Sequence, residues 1–145
     1  MALFLCLQPS EQAHSLWIYR RLIQQNDVDP DLLAAALLHD VGKICYPLHL
    51  WERVAIVLGK AWFLERVKGW GRAAPRGWKR PFVVAEQHPA WGAELAAQAD
   101  ASPLAVALIR RHQDVIDPVP MPPSGENVSL EERLLSRLQS LDNET

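Results

Sequence analysis

The sequence is poor in glycine, with 7 in 145 residues, and that scarcity argues against a turn-rich β protein. Cysteine is scarcer still. Cys6 and Cys45 make no disulfide framework, and neither stands in a metal-type spacing such as C-x-x-C. Two isolated thiols fit a reducing compartment, so the expected location is cytoplasmic. No run approaches the ~18 apolar residues that would propose a transmembrane helix. The apolar start, Met1 to Leu7, is too short for a secretion signal and lacks a basic flank. There is no internal repeat, and a net charge of −2 names no partner by itself. What is present is ordinary for a globular chain: 49% hydrophobic and 22% charged residues. A chain of this length is one domain's worth and buries roughly 70% of its unfolded surface.

Hydrophobic spacing predicts an all-α, single-domain bundle of about five to seven helices over 1–145. Pro9-Ser10 opens a helix running to about Gln25, with His14 on or beside its apolar face. Asp29-Pro30 reads as N-cap and first turn of a second, central helix. Its run Leu32 to Leu38 is apolar on all sides, and Gly42 is its expected stop. A third helix is expected over about Leu48 to Leu58. Pro89 reads as the start of a fourth, to about Ala99, and Ser102-Pro103 as the start of a fifth, ending near His112. Asp114 to Asn127 holds four prolines and reads as a loop. Ser129 with Glu132 forms a capping box for the last helix. That helix buries Leu134, Leu135, Leu138 and Leu141, and Asp142 projects from the same face.

His39 and Asp40 end the most apolar helix, where a lone charge is costly. Asp142 repeats the problem, and His14, His88 and His112 each stand at a helix end or on an apolar face. Imidazole and carboxylate are ligands of Zn, Mn and Fe, and a metal would resolve these costs together. The order His14, His39-Asp40, His88, His112, Asp142 resembles the HD-domain superfamily of metal-dependent phosphohydrolases. His39-Asp40-Val41-Gly42-Lys43, His88-Pro89-Ala90-Trp91-Gly92 and Ile109-Arg110-Arg111-His112 resemble the motifs of its HDIG-type branch. Leu138-Gln139-Ser140-Leu141-Asp142 resembles the superfamily's closing helix.

The resemblance implies one divalent ion on His14, His39, Asp40 and Asp142, and a second on His88 and His112, with Asp40 bridging. The ions would be Mn, Fe, Zn or Mg. A metal-activated hydroxide would hydrolyse a phosphomonoester or phosphodiester, on a small, nucleotide-like substrate. In that reading Lys43 neutralises a phosphate oxygen, with Arg110 and Arg111 as weaker substrate-binding candidates. Several readings stay open beside it. Lys43 can equally compensate a helix dipole. His14 can be a satisfied core histidine, His88 and His112 can line a one-metal pocket, and Asp142 can be an exposed terminal carboxylate. His49 fits no motif. Gln113 follows His112, where cyclic-dinucleotide phosphodiesterases of the superfamily carry a second His and a Gly-Tyr-Pro loop. Lys43 stands where the deoxynucleoside monophosphate nucleotidases tend to carry Glu. Both departures argue against those substrates. Two rivals keep the same residues: a di-iron oxygenase, and a non-catalytic metal- and nucleotide-binding regulatory module.

The segment 59–81 is set apart by charge. It holds seven Lys/Arg against one acid, Glu65, with Trp62, Trp70 and Trp78 among them. It is expected to be part helix and part loop. A solvated flap beside the site is the default reading; a nucleotide-binding lid and a surface lying on an anionic membrane are the alternatives. No motif for sequence-specific nucleic-acid binding is present, and the oligomeric state is not legible.

Overall fold

Helix starts written in the sequence as a polar cap before proline or glutamate set the frame. A computed structural model describes residues 2–114 and 128–144, with side chains at all of these except 64, 65 and 68. Among the described residues there are seven α-helices: α1 (Ala2–Leu5), α2 (Pro9–Gln24), α3 (Pro30–Leu38), α4 (Leu50–Gly71), α5 (Arg80–Gln98), α6 (Pro103–Arg111) and α7 (Leu130–Asp142). Two 3-10 turns, Val41–Cys45 and Gly77–Lys79, complete them, and there is no strand. This is the all-α architecture that the spacing predicts. Asp29 Oδ1 accepts from the N–H groups of Asp31 and Leu32 at the start of α3. Ser102 Oγ accepts from Ala105 N at the start of α6. Ser129 Oγ accepts from Glu132 N, while Glu132 accepts from Ser129 N, at the start of α7.

The core lies between α2, α3, α5, α6 and α7. Ile18, Leu22, Leu32, Leu108, Ile109, Leu135 and Leu138 fill it, and Ala35, Ala36, Ala93 and Ala96 let the helices approach closely. α3 is less enclosed than its composition predicts: Leu32, Ala35 and Ala36 are buried, while Leu33 and Leu38 are half-buried. α4 stays outside this core and leans on α5 at Gly59, which faces Phe82 with the buried Val67 beside it. No helix among the described residues is long and apolar enough to cross a membrane.

Three boundaries differ from the sequence reading. α3 ends at Leu38 with His39 as its C-cap, and Gly42 sits inside the following 3-10 turn instead of stopping the helix. A Cβ at Gly42 would lie 1.9 Å from the His88 carbonyl oxygen, so glycine is there for close approach to α5. α4 runs on past Leu58 to Gly71, with non-helical torsions at Phe63. Two of its three glycines are contact points: a Cβ at Gly59 would meet Phe82 at 2.5 Å, and one at Gly71 would meet Glu86 at 2.6 Å. α5 begins at Arg80, and Pro89 lies in its interior. The proline-rich loop expected at Asp114 to Asn127 falls, beyond Asp114, outside the described residues.

Candidate metal centre

The elements converge on one end of the core. His14 comes from α2, His39 and Asp40 from the end of α3, His88 from mid α5, His112 from the end of α6 and Asp142 from the last residue of α7. All six expected positions are brought together. His39, Asp40, His88 and His112 are buried, and His14 and Asp142 are half-buried.

The polar atoms fall into two groups that share Asp40. His14, His39 and Asp40 form one, and Asp40, His88 and His112 the other; within each group one ligand atom per residue lies within 4.8 Å of the others. Asp40 turns one oxygen to each. Its Oδ2 lies 3.7 Å from His39 Nε2, and its Oδ1 lies 3.3 Å from His88 Nε2. Asp142 Oδ1 sits 2.8 Å from His14 Nε2 and 3.6 Å from His39 Nε2, closing the first group. His88 Nε2 and His112 Nε2 are 3.3 Å apart.

The backbone sets the tautomers. His39 Nδ1 is 3.0 Å from the Ala36 carbonyl, and His112 Nδ1 is 2.7 Å from that of Ile109. His88 Nδ1 lies 2.9 Å from Val84 O and 3.1 Å from Ala85 O. A carbonyl only accepts, so each Nδ1 carries a proton and donates, and each ring in its neutral form turns its Nε2 lone pair to the centre. Pro89 contributes to this. It lacks the N–H that would serve Ala85 O in the helix ladder, and the His88 ring donates to that carbonyl instead.

Lone pairs facing lone pairs are unfavourable without a cation between them. His39 Nε2 is buried and has no hydrogen-bond partner. The set of imidazole nitrogens and carboxylate oxygens is that of a divalent transition metal, and the two groups fit such ions. The protonation equilibria carry the same strain. Burial alone would drive the Asp40 carboxyl up, but His39, Lys43 and His88 outweigh it and hold Asp40 well below the usual carboxylate range. Asp142 is likewise lowered, against its burial, by His14 and His39. Burial pulls His39 towards neutrality, yet Asp40 and Asp142 raise it above the ordinary histidine value. His112, buried and facing His39 and His88, is pushed down to about 3.

A polar cavity of about 240 Å³ opens over Asp40, His14 and Asp142. Lys43 and Arg53 are on its wall, with Ser10, Glu11 and Gln113. Lys43 Nζ lies 2.7 Å from Asp40 Oδ2. Arg53 was not evident from the sequence. Its guanidinium donates to Gln8 Oε1 at 2.7 Å and to the buried Glu11 carboxylate at 2.9 Å. Arg53 and Glu11 are far apart in the chain and belong to no motif; the one available signal was Glu11, three residues before His14 on the same helical face. Arg110 and Arg111 are not brought to this cavity. Arg110 is exposed, and Arg111 pairs with Asp114 and Glu131 across to α7. His49, outside every motif, precedes α4, where its N–H donates to Glu52 Oε2 at 2.8 Å.

No curated protein and no solved structure matches the chain. The profile of the HD domain matches residues 13–144, a span that contains the whole His/Asp cluster. With the order of those residues, their convergence and that match, the chain belongs to the HD domain family.

Proposed function

We propose that the chain is a metal-dependent phosphohydrolase of the HDIG-type branch, acting on a small phosphomonoester or phosphodiester of nucleotide-like character. The observation that carries this reading is the pair of ligand groups sharing Asp40, with two cations on the cavity wall beside it. His14, His39, Asp40 and Asp142 would hold one divalent ion, and Asp40, His88 and His112 a second. Such ions polarise a phosphoryl group and make water a competent nucleophile near neutral pH.

The remaining work falls to the protein. The backbone carbonyls of Ala36, Ala85 and Ile109 hold three imidazoles in the tautomer that presents Nε2. Lys43 sits where its ammonium can balance Asp40 and a phosphoryl oxygen together. Arg53, held by Glu11 and Gln8, offers a guanidinium to a second anionic oxygen, a geometry that suits phosphate. Charge held in place before the substrate arrives stabilises the transition state without reorganisation. A cavity of about 240 Å³ admits a phosphoryl group and its neighbourhood; that is just below the ~300–1,000 Å³ usual for ligand pockets.

The test is a metal assay followed by turnover. Purified chain loaded with Mn²⁺ is offered p-nitrophenyl phosphate, bis-p-nitrophenyl phosphate, nucleoside monophosphates and cyclic nucleotides. Hydrolysis of at least one class is expected. Asp40→Asn should lose both metal and turnover. Lys43→Ala and Arg53→Ala should keep the metal and lose roughly 100- to 1,000-fold in kcat/KM, the scale of one lost preorganised donor. Bound metal with no turnover across the panel would leave a binding module. Iron with O₂ consumption would favour the oxygenase.

A further inference from the structure

α4 carries an apolar face that the core does not use. Leu50, Trp51, Val54, Val57, Leu58 and Trp62 are all exposed, Leu50 at 79% and Trp62 at 70%. At 3.6 residues per turn these positions, with Ala61 among them, form one unbroken stripe roughly 140° wide. The opposite side of the helix holds Glu52, Gly59 and Val67, which are buried. Isolated exposed apolar residues are normal on a globular protein, but a continuous stripe marks a docking surface.

The cations locate its partner. Lys60, Arg66, Arg72 and Arg76 are exposed beyond or beside the stripe. One of them, Arg66, lies 5.9 Å from the centre of the exposed Phe63 ring, and the half-buried Lys79 lies 5.5 Å from that of the exposed Trp78. Between residues 59 and 81 the chain has seven Lys/Arg and one acid, while the rest has eight against sixteen. A second copy of the chain fits poorly. Across a two-fold axis the stripe would meet itself, and the one acid in residues 50–62, Glu52, is buried against Arg80. Among the described side chains of that face, no acid is left to neutralise the cations. An anionic lipid surface meets both needs, since tryptophan, aliphatic side chains and Lys/Arg on one helix partition to the interface of such a bilayer.

We propose that α4 and the basic segment after it dock on an anionic lipid bilayer, with the apolar stripe among the acyl chains and the cations at the head groups. The probe is the full chain with vesicles of phosphatidylcholine, and with vesicles of phosphatidylcholine and phosphatidylglycerol. The chain should sediment with the anionic vesicles, its tryptophan emission should shift to the blue, and added salt should weaken the association. Val57→Asp, at an exposed position, should abolish sedimentation while the helical circular dichroism is unchanged. Lys60→Gln and Arg66→Gln should each weaken association about fivefold. A chain that ignores both vesicle types overturns the proposal, whether it is monomeric or a dimer that Val57→Asp dissociates. Equal sedimentation with neutral and anionic vesicles overturns it as well. Vesicle binding requires neither metal nor turnover, so its failure is distinct from failure of the phosphohydrolase reading.

Discussion

Each buried imidazole in the cluster has one nitrogen committed to its own helix, and the commitment is local. His39 and His112 use the carbonyl three residues back, as any helix-terminal histidine can. His88 is mid-helix, where carbonyls are normally consumed by the ladder, and there Pro89 releases one. Pro89→Ala tests that role. The new N–H competes for Ala85 O and relaxes the preference for the Nδ1–H tautomer. Helix propensity moves in favour of alanine, so thermal stability should hold or increase, while affinity for Mn²⁺ should fall about tenfold, the scale of a lost outer-shell partner. Titration calorimetry beside a thermal melt separates the two effects. A joint loss of stability and affinity would reduce Pro89 to a packing residue.

At the scale of elements, what was legible was what repeats along a helix. The leucine register of α7 placed Asp142 on the buried face, and the caps at Asp29, Ser102 and Ser129 marked true helix starts. Glycine and proline misled. Gly42 and Pro89 are breakers by intrinsic preference, yet here tertiary contact decides. Gly42 and Gly59 admit a neighbouring helix, and the carbonyl that Pro89 leaves is taken by a side chain. The Arg53–Glu11 pair was illegible because it joins α2 and α4 across the fold, and no local pattern encodes such a contact. Gly42→Ala probes the tightest of these approaches. The added methyl meets the His88 carbonyl and, at 2.7 Å, the Gly92 nitrogen, both backbone atoms that cannot swing aside. Separation of the 3-10 turn from α5 should cost about 3 kcal/mol, the upper part of the usual overpacking range. Because Asp40 precedes the turn and His88 lies on α5, metal should be lost too. Gly69→Ala is the matched control: its Cβ meets nothing within 4 Å. An exposed helical glycine exchanged for alanine should gain about 1 kcal/mol. Urea unfolding in chelator reads both, and equal effects at the two sites would contradict the close-approach reading of Gly42.

For the whole molecule, the six converging groups couple folding to pH and to metal with opposite signs. In metal-free protein Asp40 and Asp142 flank His39 Nε2 and favour its protonated form, which does part of a cation's work. Its folded value is raised, so its stabilising contribution is complete below the unfolded histidine value near 6.5 and is lost as pH rises through the raised one. Asp40 and Asp142 are lowered, so their contribution is complete above the ordinary carboxylate value and is lost only as pH falls through their depressed ones, in strong acid. His112, pushed down to about 3 by burial and by its neighbours, stays neutral through the range in which His39 titrates and is ready to ligate. Chelated protein should therefore lose stability from pH 6 to pH 8. Metal binding needs neutral His39, so affinity rises over the same interval as the competing proton leaves. With Mn²⁺ at about 100 times its Kd the added stability is about 2.7 kcal/mol, or roughly 5–10 °C in Tm for a chain of this size. The gap between Mn²⁺-loaded and chelated protein should widen from pH 6 to pH 8, and Asp142→Asn, which removes one of the charges holding His39 protonated, should flatten the chelated curve. A gap that is constant or narrows with pH would mean that His39 carries no exchangeable proton in the metal-free centre, and that the two groups are held together by packing alone.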